Sequence, residues 1–230
     1  MDVDVIQFLS HYHLHHQNLL SNMKVTHLTP NRTLLEFDSL KEMNLTLYRI
    51  TEFSEGLAGL RSTYSTPDIF LDLYSNKNGL LDYFGYWDGH NISKLTVRQF
   101  INTYHDQLTN REKNVIEAIK DLKDTGYLIA MKKGDKITLK HEMAHGLYFD
   151  TPLYKERADA ILGTISKSIY NQLKKGLKKI NYHDDVIQDE IQAYLTAYDK
   201  IEFKELFPSI PVSKVRKQIK ELNDNYKSFS

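Results

Sequence analysis

Apolar residues in this chain follow two rhythms, a helical one that dominates both ends and an alternating one confined to a few short stretches between them. In residues 5–23, Val5, Phe8, Leu9, Leu19 and Leu20 keep helical spacing around a polar segment at 10–17, which predicts a helix. Residues 25–50 alternate instead. There Thr33-Leu-Leu-Glu-Phe and Leu45-Thr-Leu-Tyr-Arg-Ile predict two or three strands, with turns at Pro30-Asn31 and around 42–44. Residues 56–75 are mixed. Turn formers and rings then crowd into Asn76-Lys-Asn-Gly and Gly85-Tyr-Trp-Asp-Gly-His-Asn, where Tyr83, Phe84, Tyr86 and Trp87 are expected to pack the edge of the core rather than grip a substrate.

Further helices are predicted over 97–105 and 112–122, the second with Val115, Ile116, Ile119 and Leu122 on one face and Gly126 as its stop. Residues 127–131 and 136–139 flank Lys132-Lys-Gly-Asp as a hairpin, and a helix begins near Leu139. Pro152 ends that helix or opens the next. A long helix follows over 156–179, and its Lys167, Lys174, Lys175, Lys178 and Lys179 read as a solvated face. A helix over 184–198 starts with paired acids that suit its dipole, and a basic helix over 213–227 follows Pro208 and Pro211. The expected fold is α+β, mainly helical with a small mixed or antiparallel sheet. An N-terminal segment 1–75 and a region 76–230 are the expected division, one continuous domain over 1–230 being the alternative.

Charge narrows the function classes. Thirty basic residues balance thirty acidic ones in 230, so the chain lacks the cationic surplus of a general nucleic-acid binder. No stretch reaches the ~20 apolar residues of a membrane span, and the first residues carry no basic n-region; a cytoplasmic protein, or one exported without a classical signal peptide, is expected. With no cysteine, a metal must be held by His, Asp or Glu.

Such a set exists in His141-Glu142-Met143-Ala144-His145, a pattern that this composition yields by chance about 0.02 times per chain. On a helix the two histidines lie one turn apart on one face, within reach of one Zn²⁺. Glu142, rotated aside, is free to act as general base on a water. Catalytic zinc normally has a third protein ligand. Asp150 would need a sharp turn after the helix, and Glu156 follows Pro152. Glu190 is the better candidate, because it sits among Ile187, Ile191, Tyr194 and Tyr198, where an unpaired carboxylate would be costly.

These residues resemble the gluzincin branch of the zincin metallopeptidases over about residues 127–200. The resemblance implies a pair of active-site helices, zinc held by His141, His145 and Glu190, and Glu142 as base. Within that branch the spacing is similar to the anthrax lethal-factor-like and Pro-Pro endopeptidase group, in which a tyrosine stabilises the oxyanion. Here that position is His183, with Tyr182 beside it, so Tyr182, His183, Tyr194 and Tyr198 remain alternative donors. The phrases Leu139-Lys-His-Glu-Met-Ala-His-Gly-Leu-Tyr, Tyr86-Trp-Asp-Gly-His-Asn-Ile and Asp189-Glu-Ile-Gln-Ala-Tyr also resemble uncharacterised viral and bacterial proteins. Asp189 is then expected to support a ligand histidine. In zincins a strand beside the motif helix aligns substrate, and residues 127–131 or 137–139 are expected to do so.

The expected function is thus zinc-dependent hydrolysis of a protein or peptide substrate. The alternative is a non-catalytic interaction or effector protein with a structural or vestigial zinc site. His11, His13, His15 and His16 form a second cluster, read as a polar helix face because no carboxylate accompanies it. No Gly-x-Ser-x-Gly or phosphate-cradling loop occurs.

Overall fold

The computed structural model describes residues 23–55, 87–180 and 182–230. A tight turn at Pro30-Asn31 joins β1 (Lys24–Thr29) to β2 (Arg32–Phe37) as an antiparallel pair. After α1 (Leu40–Glu55), the described chain resumes before β3 (Gly89–Ser93) and continues through α2 (Lys94–Tyr104), α3 (Asn110–Ala118) and β4 (Tyr127–Lys132). The sheet order is β1-β2-β4-β3, with β4 parallel to β2 and antiparallel to β3. Two of its strands come from each side of residue 75. The remainder is helical: α4 (Lys136–Asp150), α5 (Pro152–Leu162), α6 (Lys167–Lys179), α7 (Ile187–Thr196), α8 (Lys200–Leu206) and α9 (Arg216–Lys227). The fold is α+β and mainly helical, with a small mixed sheet.

Period-two alternation divides the sheet between two cores. Leu35, Phe37, Leu128 and Ala130 face α1, α2 and α3, where they meet Met43, Leu47, Phe100 and Val115. Leu34, Ile129 and Met131 face the opposite way, against Leu139 and Met143 of α4. The other side of α4 offers Leu147 and Tyr148 to a third cluster, formed with α5, α6, α7, α8 and α9. Helix α4 is therefore covered by the sheet on one side and by helices on the other. That double cover buries Glu142 and His145, polar side chains that a surface helix would turn to water.

Several local expectations change. Residues 45–50 are not a strand, and 42–44 are not a turn, because both lie within α1. Met43, Leu47 and Ile50 are fully buried at i, i+4 and i+7, and the Ser39 hydroxyl accepts from the Glu42 amide at the helix start. Residues 136–139 form no hairpin arm. Asp135 accepts from the amides of Ile137 and Thr138 and starts α4 directly, while Gly134, at φ 85°, makes the turn out of β4. The expected helix over 112–122 ends at Ala118, and the one over 156–179 is two helices broken at Gly163, with Ser166 capping the second. Pro152 opens α5 at its first turn. Helix α8 was not anticipated.

The substrate-aligning strand also moves. β4 has β2 on one side and β3 on the other, so it has no free edge, and 137–139 is helical. Among the described residues the edge strands are β1 and β3. The predicted helix over 5–23 with its four histidines, the stretch 56–75, and Tyr83, Phe84 and Tyr86 lie outside the described residues.

Candidate metal centre

Helix α4 carries His141 and His145 on one face, as their four-residue spacing requires, and α7 packs along it and supplies Glu190. The apolar residues Ile187, Ile191 and Leu195 on α7 join Leu147 of α4 in one core, which holds the two helices in register. The Nε2 atoms of the two histidines are 3.1 Å apart. Glu190 bridges them, with one oxygen 3.7 Å from His141 Nε2 and the other 3.6 Å from His145 Nε2.

These separations suit one ion. One donor atom from each of the three residues lies within 4.8 Å of the others, a spacing that a single metal ion can span. Two further observations fit a cation. Glu190 Oε2 is buried without a hydrogen-bond partner, although the carboxylate is only 8% exposed. Asp189 Oδ1 stands 2.8 Å from His145 Nδ1, so a carboxylate backs this ring nitrogen while Nε2 faces His141. Two imidazole nitrogens and an orphaned carboxylate oxygen are a donor set that a cation completes. His141, His145 and Glu190 thus form a buried group that could hold a metal ion.

These three side chains are themselves supported. Gln192 donates to Asp189 at 2.9 Å and accepts from the Tyr154 hydroxyl at 2.9 Å, and neither Gln192 nor Tyr154 has exposed surface. The His141 ring meets the Tyr194 ring edge-on, centroids 4.6 Å apart. Burial favours the neutral forms of His145 and Glu190, but the charges around each override it. His145 is held well above the ordinary histidine range, because Asp189 and Glu190 outweigh its burial. Glu190, pushed up by burial, is drawn down to about 2 by His145 and His141.

Glu142 lies beside this group and is 6% exposed. Asn91 of β3 donates to its Oε2 at 2.5 Å, and Tyr127 of β4 donates to the Asn91 carbonyl. Burial raises the Glu142 pKa, and Glu190 adds to the rise; the two histidines and the Asn91 hydrogen bond oppose it. A cavity of about 350 Å³ opens over these residues. Its described lining includes Asp88, Glu142, Asp189, Glu190 and Glu202 and no lysine or arginine, a carboxyl-rich surface that suits a cation.

Tyr182, His183 and Tyr194 all line this cavity. Burial, then the nearby Glu190 carboxylate, raises the pKa values of both tyrosines. Tyr198 is not among the lining residues and meets Phe203 edge-on, centroids 5.5 Å apart. Asp150 is committed elsewhere: its carboxylate takes two hydrogen bonds from Arg32, at 2.5 and 2.9 Å. Glu156 is exposed on α5. Trp87 lines the cavity and packs 5.7 Å from the His90 ring. Of the lysines on α6, Lys174 and Lys178 pair with Asp184 at 2.8 and 3.0 Å, and Lys167, Lys175 and Lys179 are exposed.

Gly89, Asn91 and Tyr127 were missed by sequence reasoning. Residues 85–91 read as turn formers, yet β3 alternates like any strand: Asn91 points to α4, while His90 reaches Asn44 and Thr51 of α1. No protein family, curated protein or solved structure matches this chain.

Proposed function

We propose that this protein is a zinc-dependent metallohydrolase, most specifically a peptidase of the gluzincin kind. The convergence of His141, His145 and the unpartnered Glu190 oxygen beside the buried Glu142 carboxylate carries this reading. Purely structural sites tend to fill all four positions with protein ligands, whereas three ligands facing a cavity leave a position open. Zinc, when bound, supplies a Lewis acid that makes water acidic near neutral pH. His141, His145 and Glu190 would hold it, with Asp189 fixing the His145 tautomer.

Glu142 takes the proton of the attacking water and delivers it to the leaving amine, so that the peptide bond is exchanged for a carboxylate and an amine. Tyr182, Tyr194 and His183 are the groups placed to donate to the carbonyl oxygen as it gains negative charge. Both phenols keep their protons, as donation requires. Gly89, His90, Asn91 and Ile92 of β3 border the cavity, and no described strand pairs with the outer edge of β3. An extended substrate is therefore expected to align along β3.

Elemental analysis after dialysis against a weak chelator tests the reading, combined with hydrolysis of a peptide library. Wild type should retain about one zinc per chain, His145→Ala and Glu190→Gln should lose it, and Glu142→Gln should keep it but lose hydrolysis. Hydrolysis that survives Glu142→Gln in folded, zinc-loaded protein refutes the proposed base. Zinc retention without any turnover leaves the non-catalytic alternative in its place.

A further inference from the structure

β3 turns Gly89 and Asn91 toward α4, and both meet Glu142. On one side of its carboxylate, Asn91 Nδ2 donates to Oε2 at 2.5 Å. An ionised carboxylate accepts only, so the nitrogen end of the Asn91 amide must face it, and the carbonyl end must face the Tyr127 phenol. Tyr127 donates to that carbonyl and thereby opposes a flip of the amide. Tyr127 is itself 6% exposed. It sits on β4 at the diagonal neighbour of Asn91, since Asn91 pairs with Ile129 in the strand register.

The other oxygen is placed by an absence. A Cβ on residue 89 would stand 2.6 Å from Glu142 Oε1, 2.9 Å from its Cγ and 2.7 Å from Thr138 Cγ2. Glycine is the only residue that leaves this carboxylate where it is. The two oxygens of Glu142 are thus in different states, Oε2 tethered and Oε1 in the space that Gly89 leaves.

We infer that Asn91, oriented by Tyr127, is a positioning residue that holds Glu142 Oε2 as a standing acceptor and commits Oε1 to proton transfer. The inference rests on the hydrolase reading for its consequence, though not for its geometry. A carboxylate free to rotate would offer either oxygen, in a spread of directions, to a water that must itself be aligned. The tether removes that freedom before substrate arrives. The Asn91 side chain bonds to Glu142 and Tyr127 and to neither the ligand histidines nor Glu190, so its effect should fall on turnover and leave the ion in place.

Two measurements test this. In ¹⁵N-labelled, zinc-loaded protein, one Asn91 side-chain amide proton, assigned by its loss in Asn91→Ala, should resonate far downfield and move upfield in Glu142→Ala. A signal that does not move overturns the tether, and this arm is informative even if no peptide is ever cleaved, an outcome that counts against the hydrolase reading alone. In turnover assays, Asn91→Ala should keep about one zinc and an unchanged KM while kcat falls about 10–100-fold. Tyr127→Phe, which keeps the ring, should lower kcat less. In a Glu142→Gln background, Asn91→Ala should change residual activity no further, because its effect runs only through that carboxylate. Full additivity of the two substitutions, or loss of zinc with Asn91→Ala, overturns the inference in favour of a merely structural asparagine.

Discussion

Acidification should loosen the strand that carries this site, through a histidine that binds no metal. His90 is 4% exposed on β3, with Nε2 2.7 Å from Asn44 Oδ1 and Nδ1 2.9 Å from the Thr51 hydroxyl. Asn44 in turn donates to the Trp87 carbonyl at 3.0 Å, so its oxygen end faces the imidazole. This seat fits a neutral ring, and burial lowers the His90 pKa to about 3 from 6.5. The unfolded chain therefore binds more protons than the folded one between those values, and stability falls as pH falls through that window. From about pH 7.5 to about pH 5 the unfolded imidazole becomes almost fully protonated while the folded one stays neutral, a loss of about 2 kcal/mol. The perturbation is His90→Gln, which cannot titrate, and the assay is urea unfolding of both proteins at a series of pH values with a strong chelator present. His145, raised in the folded state, contributes stability at low pH that is lost as pH rises, the opposite sign, but it does so in both proteins and cancels in their difference. The wild type should lose about 2 kcal/mol more than His90→Gln over this range. Parallel curves would show that His90 is protonated in the folded protein and would refute the assignment of a neutral anchor between β3 and α1.

Three other outcomes follow from the same geometry. Gly89→Ala should keep its zinc but lose some stability, since the new methyl meets Thr138 Cγ2 and Glu142 Cγ as well as Glu142 Oε1, and kcat should fall about 100-fold as the base is displaced; wild-type turnover in this variant would contradict the placement of Glu142. Asp189→Asn should weaken zinc binding about 10–100-fold in a chelator competition while leaving the fold intact, because it removes the carboxylate 2.8 Å from His145 Nδ1. Adding zinc to the metal-free protein at about 1,000 times its Kd should raise stability by about 4 kcal/mol, read as a concentration-dependent rise in Tm; no shift would mean that His141, His145 and Glu190 hold no ion.

What the sequence disclosed and what it concealed divide along the range of the interactions involved. The pairing of His141 with His145 needs only helical spacing, and Glu190 betrayed itself as an acid among Ile187, Ile191 and Tyr194; each signal is contained in one element. The hairpin of β1 and β2 was legible for the same reason, from alternation flanking Pro30-Asn31. Residues 45–50 misled because Leu45-Thr-Leu-Tyr-Arg-Ile satisfies the alternating template locally, while the helical stripe that prevails, Met43, Leu47 and Ile50, only matters once Leu35 and Leu128 are there to cover it. The missed part of the site is missed in the same way. Gly89 and Asn91 look like turn residues until β4 pairs with them, and only α4, fifty residues later, gives each a purpose: space for one oxygen of Glu142 and a bond for the other. A polar residue on a short edge strand carries no periodic signature of its own. Its placement matters only through the carboxylate that the double-covered helix α4 presents to it, so the candidate ligands and the proposed base were readable along the chain and the residues that contact that carboxylate only across it.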